Sequence, residues 1–122
     1  MAIKEDFVSF ETAKLLKEKG FDEPTIGTYY KDGTFEHLTI NRWNSKFVTP
    51  ISAPTLQMAM KWLRKEHNID ILITIGGFVE KGKVYFCSVY KNLINYGDLK
   101  EYLTYEEAAE AGIKYCLENI ID

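Results

Sequence analysis

The chain has 122 residues, of which 46% are hydrophobic and 14% aromatic, and it carries a net charge of −3. That length and composition point to a single domain over residues 1–122 with a core of its own, and exclude a disordered tail or a scaffold that needs metal or disulfide staples. Acidic and basic residues are mixed along the chain, which disfavours a dedicated nucleic-acid binder, and no apolar run approaches the roughly 18 residues of a membrane span.

Residues 1–6 hold no apolar signal core, and the two cysteines, Cys87 and Cys116, each lie among apolar neighbours. A cytoplasmic protein with reduced, buried thiols is the expectation. Ser9 is placed to cap a first helix over residues 10–19. Gly20 would end it in a left-handed turn, with Phe21 set against Leu16. Asp22-Glu23-Pro24 then breaks the chain. Residues 25–30 and 34–40 read as two strands joined by Lys31-Asp32-Gly33, where Asp-Gly is expected to supply positive φ angles.

Residues 41–52 are the least regular stretch and are expected to form a packed loop or a short strand around 46–49. Residues 54–68 form an amphipathic helix. Leu56, Ala59, Met60, Leu63 and His67 fall on one arc, Gln57, Lys61, Arg64 and Lys65 lie opposite, and Met58 and Trp62 sit on the shoulders. Ser52 or Ala53 is the expected N-cap, with Pro54 in the first turn. His67 falls in the last turn, where the helix dipole favours a cation. The β-branched run from Ile69 changes the period to that of a strand. Residues 71–79 and 83–90 form a second hairpin around Glu80-Lys81-Gly82, and Gly76-Gly77 in its first strand suggests a bulge, a bend or a close backbone approach.

Residues 91–103 read as loop with a helical turn. Thr104 opens the last helix with a capping box to Glu107, and Ala108, Ala109 and Gly112 on its broad apolar arc would let a neighbour come close. The order is α-ββ-(β)-α-ββ-α. The expected fold is α+β, with helices packed on one face of a mostly antiparallel sheet built from two hairpins. Residues 13–18 and 60–65 echo each other ahead of the two hairpins, as a duplicated helix-hairpin unit would.

For chemistry the sequence offers little. His37 and His67 are not at metal-ligand spacing, no nucleophile motif or phosphate loop is present, and no cofactor is implied. A non-catalytic protein is favoured over an enzyme. Aromatic and basic residues alternate at Tyr29-Tyr30-Lys31, at Arg42-Trp43 with Lys46, and from Tyr85 to Lys91, a pairing that suits stacking beside a cation. Arg42, Trp43, Tyr29, Tyr30 and His37 are therefore the candidate ligand-binding residues, with Arg42 and Trp43 foremost because they fall in the irregular segment.

The run Phe7-Val8-Ser9-Phe10-Glu11-Thr12-Ala13-Lys14-Leu15-Leu16-Lys17-Glu18-Lys19-Gly20-Phe21, followed by residues 53–68 and 105–120, resembles a group of small uncharacterised proteins of phages and prophages of gut Bacteroides-type bacteria. The resemblance implies a cytosolic, mobile-element setting and carries no activity and no site residues. The residues and the resemblance together point to a binding or interaction protein, assembled as a homo-oligomer (a dimer), with a small-molecule or protein partner and no membrane. The alternatives are a nucleotide-like ligand binder acting against host defence and a nucleic-acid-binding accessory protein.

Overall fold

The computed structural model describes residues 3–46, 50–78, 82–98 and 100–122. The chain divides into two compact units, residues 1–59 with Asp122, and residues 60–121. The elements run α1 (Phe10–Glu18), β1 (Thr25–Tyr29), β2 (Phe35–Arg42), a 3-10 turn (Asn44–Lys46), β3 (Ile51–Ala53), α2 (Leu56–His67), β4 (Ile69–Phe78), β5 (Gly82–Lys91), β6 (Ile94–Asp98) and α3 (Tyr105–Asn119). The architecture is α+β, and the two hairpins each grow into a three-stranded antiparallel sheet, ordered β2-β1-β3 and β4-β5-β6.

In the first unit, Ser9 caps α1 by accepting from the Thr12 N–H at 3.2 Å. At the other end Gly20 takes φ +94°. Phe21 N–H reaches the Leu16 carbonyl at 2.9 Å and Gly20 N–H the Lys17 carbonyl at 3.2 Å, the paired bonds of a Schellman ending. Leu16 and Phe21 are both buried. Tyr30 to Gly33 turns the first hairpin: Gly33 N–H donates to the Tyr30 carbonyl at 2.8 Å, and the Asp32 carboxylate accepts from Thr34 N–H at 3.0 Å. Only Gly33, at φ +90°, is left-handed. Asp32 serves through its side chain rather than through a positive φ.

Phe47, Val48 and Thr49, the heart of the strand expected around 46–49, lie outside the described residues. The third strand of this sheet comes later, at Ile51–Ala53, paired to β1. This moves the start of α2. Ser52 and Ala53 belong to β3, and Pro54 lies before the helix instead of in its first turn. Thr55 is the cap: its hydroxyl accepts from Met58 N–H at 3.1 Å and its carbonyl from Ala59 N–H at 3.0 Å. Thr55 fits because it combines an extended backbone, bridged to Phe7, with an acceptor side chain at the helix mouth.

The helix α2 crosses the division between the units at Ala59 and Met60. Leu56, Ala59, Met60, Leu63 and Trp62 are buried, so Trp62 joins the core stripe, while Met58 stays exposed. Asn68, left-handed at φ +54°, is all that separates α2 from β4.

In the second unit, β4 and β5 pair through ten successive residues with no shift in register, so Gly76-Gly77 makes no bulge. The Phe86 ring instead lies over Gly76, where a Cβ would come within 2.5 Å of it. The hairpin tip, Val79-Glu80-Lys81, is outside the described residues. Residues 91–103 are not mainly loop. Asn92 and Leu93, at φ +52° and +69°, form a two-residue turn of the type whose twist matches a hairpin, and β6 follows it. Thr104 caps α3, accepting from Glu107 N–H at 3.1 Å and donating to the Glu107 carboxylate at 3.2 Å. α3 packs on β4 and β5. A Cβ at Gly112 would stand 2.6 Å from Cys87 Sγ and 3.0 Å from Ile71 Cγ2, the close approach expected of its small residues.

The two sheets do not repeat each other. The first strand of the hairpin is central in one and the second is central in the other, so the helix-hairpin echo in the sequence is not a repeated topology.

Candidate functional site

A half-open cleft of about 670 Å³ lies in the first unit, lined by Lys4, Glu5, Phe7, Ile26, Phe35, His37 and Thr55. A smaller hollow of about 130 Å³ shares Phe7, Ile26 and Thr55 and extends to Pro24 and Met58. The chain entering α1 builds one wall. Phe7 bridges Thr55, Val8 N–H donates to the Pro54 carbonyl at 3.0 Å, and Leu56 N–H donates to the Asp6 carbonyl at 2.9 Å.

Gly27 is what lets Phe7 lie where it does. A Cβ there would stand 2.6 Å from Phe7 Cδ1 and 2.7 Å from the Ala53 carbonyl oxygen. A side chain could push aside a ring but not that fixed backbone atom, so position 27 must be glycine for β1 to pair with β3 as it does, and the missing Cβ also leaves the Phe7 ring room on the sheet. From there Phe7 packs against Phe35, with centroids 5.0 Å apart, and meets His37 edge to face at 5.8 Å. Tyr29 continues the row, 5.2 Å from Phe35 and 5.5 Å from Phe10. Alternation along the paired strands puts Gly27, Tyr29, Phe35 and His37 on one face, because Tyr29 pairs with Phe35 and Gly27 with His37. Ile26 and Phe35 remain 36% and 38% exposed at the cleft. It thus joins an aromatic and aliphatic floor to three ionisable side chains, Lys4, Glu5 and His37.

Of the five residues expected from sequence, His37 lines this cleft and the other four do not. Tyr29 is structural: its hydroxyl donates to the Val8 carbonyl at 2.7 Å and ties the entering chain to β1. Tyr30 is exposed and its hydroxyl binds the Glu36 carboxylate, which holds its proton more tightly than usual. Arg42 ends β2 and Trp43 follows it, both half-buried. The segment they begin is pinned by Asn44, which donates to the Phe21 carbonyl at 2.8 Å and accepts from Ser52 N–H at 3.0 Å, and by Asp22, which accepts from Ser45 N–H at 2.7 Å.

Lys4, Glu5, Phe7, Ile26, Phe35 and Thr55 are the lining residues that sequence reasoning passed over. Their one visible signal is Gly27, a lone glycine within a strand, which marks a close approach by another group.

The thiols offer no reactive centre. Cys87 and Cys116 are buried and not joined in a disulfide, and burial, with Cys87 nearby, pushes the Cys116 thiol up to about 12. Among the described residues no group of three or more His, Cys, Asp or Glu is placed to hold a metal ion, and no helix is long and apolar enough to cross a membrane. No family model matches the chain, and no curated protein or solved structure matches it either.

Proposed function

We propose that this chain is a non-catalytic binding protein of the cytosol, working in the phage or prophage setting that its helical blocks resemble, and that the cleft beside Phe7 takes a small ligand with an aromatic or apolar body. The observation that carries this reading is the combination of size and lining. A volume of about 670 Å³ falls in the range of ligand sites, and the floor of Phe7, Ile26 and Phe35 accompanied by a few polar groups is their usual composition. A flat planar ligand would lie against the partly exposed Phe35 ring, and an anionic substituent would find Lys4 and His37. A nucleotide is one ligand of this kind, with its base on the rings. Arg42 and Trp43 are not part of that cleft, so a nucleotide would be held without them.

The test is a titration of the isotope-labelled protein followed by amide chemical shifts, with 1-anilinonaphthalene-8-sulfonate and adenosine monophosphate as probes. For the naphthalene probe the expected shifts centre on Phe7, Ile26, Phe35, His37 and Thr55, and Ile26→Glu weakens binding at least about tenfold by putting a carboxylate on the apolar floor. Shifts centred on residues 60–121, or scattered without saturation, overturn the reading. Adenosine monophosphate acting on the same amides narrows the ligand class to nucleotides, and a null response removes nucleotides from it.

A further inference from the structure

The sheet of the second unit has two edges, and they are unlike. β6 is five residues long, and its pairing to β5 shifts register between Ser88 and Tyr90. Short length and an irregularity are the ordinary ways of blunting a sheet edge. The first unit is similarly protected: between Thr25 and Gly27 the register of β2 against β1 shifts, and β2 carries Glu36, His37 and Arg42. β4 has none of these devices. It runs ten residues in unbroken register, Ile-Asp-Ile-Leu-Ile-Thr-Ile-Gly-Gly-Phe, without proline or lysine, and Asp70 is its one charge. Among the described residues no strand pairs with its outer side. The side chains along the strand are in part exposed: Asp70 and Thr74 are exposed, Leu72 is 49% exposed on one face and Ile75 66% on the other.

We propose that the β4 edge is the interface for a second copy of this chain, the two β4 strands pairing antiparallel about a twofold axis to make one six-stranded sheet. An unpaired row of backbone N–H and C=O groups is a ready template for an extended strand, the one protein partner that can bond to the whole row. The sequence of β4 fits itself. A twofold axis at Leu72 or Ile73 sets Asp70 against Thr74 or Gly76 of the second copy, so the single charge never opposes its own image. The same axis sets Ile71 against Ile73 or Ile75, the β-branched cross-strand pairs that stabilise antiparallel sheets. A closed twofold contact also uses the edge up, which a head-to-tail contact would not. This interface lies in the second unit and is independent of the ligand cleft in the first.

The test is the solution mass of the full chain by sedimentation, from low micromolar to submillimolar concentration. The expected result is a species of twice the 14.1 kDa chain mass. Leu72→Lys combined with Ile75→Lys puts a lysine on each face of the edge and is expected to leave only monomer, with the circular dichroism unchanged. Ile40→Lys on the β2 edge, an equally exposed site, is expected to leave the dimer intact. A wild-type chain that stays monomeric throughout, a dimer that survives the β4 pair, or one lost with Ile40→Lys overturns the proposal. Should the β4 pair unfold the chain, hydrogen exchange of the wild type decides. Protection of residues 70–76 must grow with protein concentration, and concentration-independent exchange there overturns it. A β4 pair that stays folded is expected to bind the naphthalene probe as the wild type does, so this inference and the ligand reading fail separately.

Discussion

His67 ends α2, where the partial negative charge of the last carbonyls would favour a cation. Its surroundings decide otherwise. The ring packs edge-on against Trp62 at 4.8 Å, and burial, followed by the Lys91 ammonium, lowers its affinity for a proton, with Glu66 opposing more weakly. The sign of the consequence follows from linkage. In the unfolded chain His67 protonates around the ordinary value of 6.5, whereas in the folded chain it does so only at lower pH. Above that value neither state holds the proton and the residue is silent. As pH falls through it, the unfolded chain gains a proton the folded chain refuses, so stability declines, and the decline from this group ends once the folded ring is also charged. Melting temperatures measured from about pH 7.5 down to about pH 5 should therefore fall for the wild type and fall less steeply for His67→Gln. Equal slopes in the two proteins would show that His67 titrates as in the unfolded chain.

At the scale of elements, the β5–β6 turn shows what a single residue out of its preferred conformation costs. Leu93 sits at φ +69° with its side chain 95% exposed, so it bears the left-handed penalty and recovers nothing by packing. Leu93→Gly should raise stability by about 0.5–1 kcal/mol, the left-handed penalty less the extra freedom glycine brings to the unfolded chain, measured as a higher urea midpoint at unchanged slope. A lower midpoint would mean that Leu93 packs somewhere. The same turn explains the legibility of this fold. Elements whose ends are set by side-chain chemistry in sequence were readable: Ser9 and Gly20 around α1, Thr104 at α3, Gly33 at the first hairpin. Asn92-Leu93 has no glycine to announce two positive φ angles, so the sequence around β6 reads as loop. The start of α2 lies later than its sequence suggests for a tertiary reason, since Ala53 is claimed by pairing to Gly27, a partner distant in sequence. The cleft was the least legible part. Its walls come from residues 4, 5, 7, 26, 35, 37 and 55, brought together by pairing and by one missing Cβ, and Tyr29, an aromatic residue with a basic neighbour in sequence, is tied into the framework instead.

For the whole molecule the question is how two compact units share one helix. α2 buries Leu56 and Ala59 on one side of the division and Met60, Trp62 and Leu63 on the other. A helical stub of a few residues does not by itself recover the cost of its own nucleation. The expectation is that loss of the second unit melts the first turn of α2, whose cap Thr55 lines the cleft. The two tryptophans report on this separately, Trp43 from the first unit and Trp62 from the second. In chains carrying Trp43→Phe or Trp62→Phe, the remaining indole should give the same unfolding midpoint once each variant's own change in stability is taken from circular dichroism. Lys61→Pro, at an exposed position in the middle of α2, removes a helical hydrogen bond and clashes with the preceding turn, at a cost of about 3 kcal/mol or more. It should lower both midpoints together, while Lys61→Ala leaves each within about 0.5 kcal/mol. A proline that moves the Trp62 signal and leaves the Trp43 signal in place would mean that the first unit holds its fold without the helix.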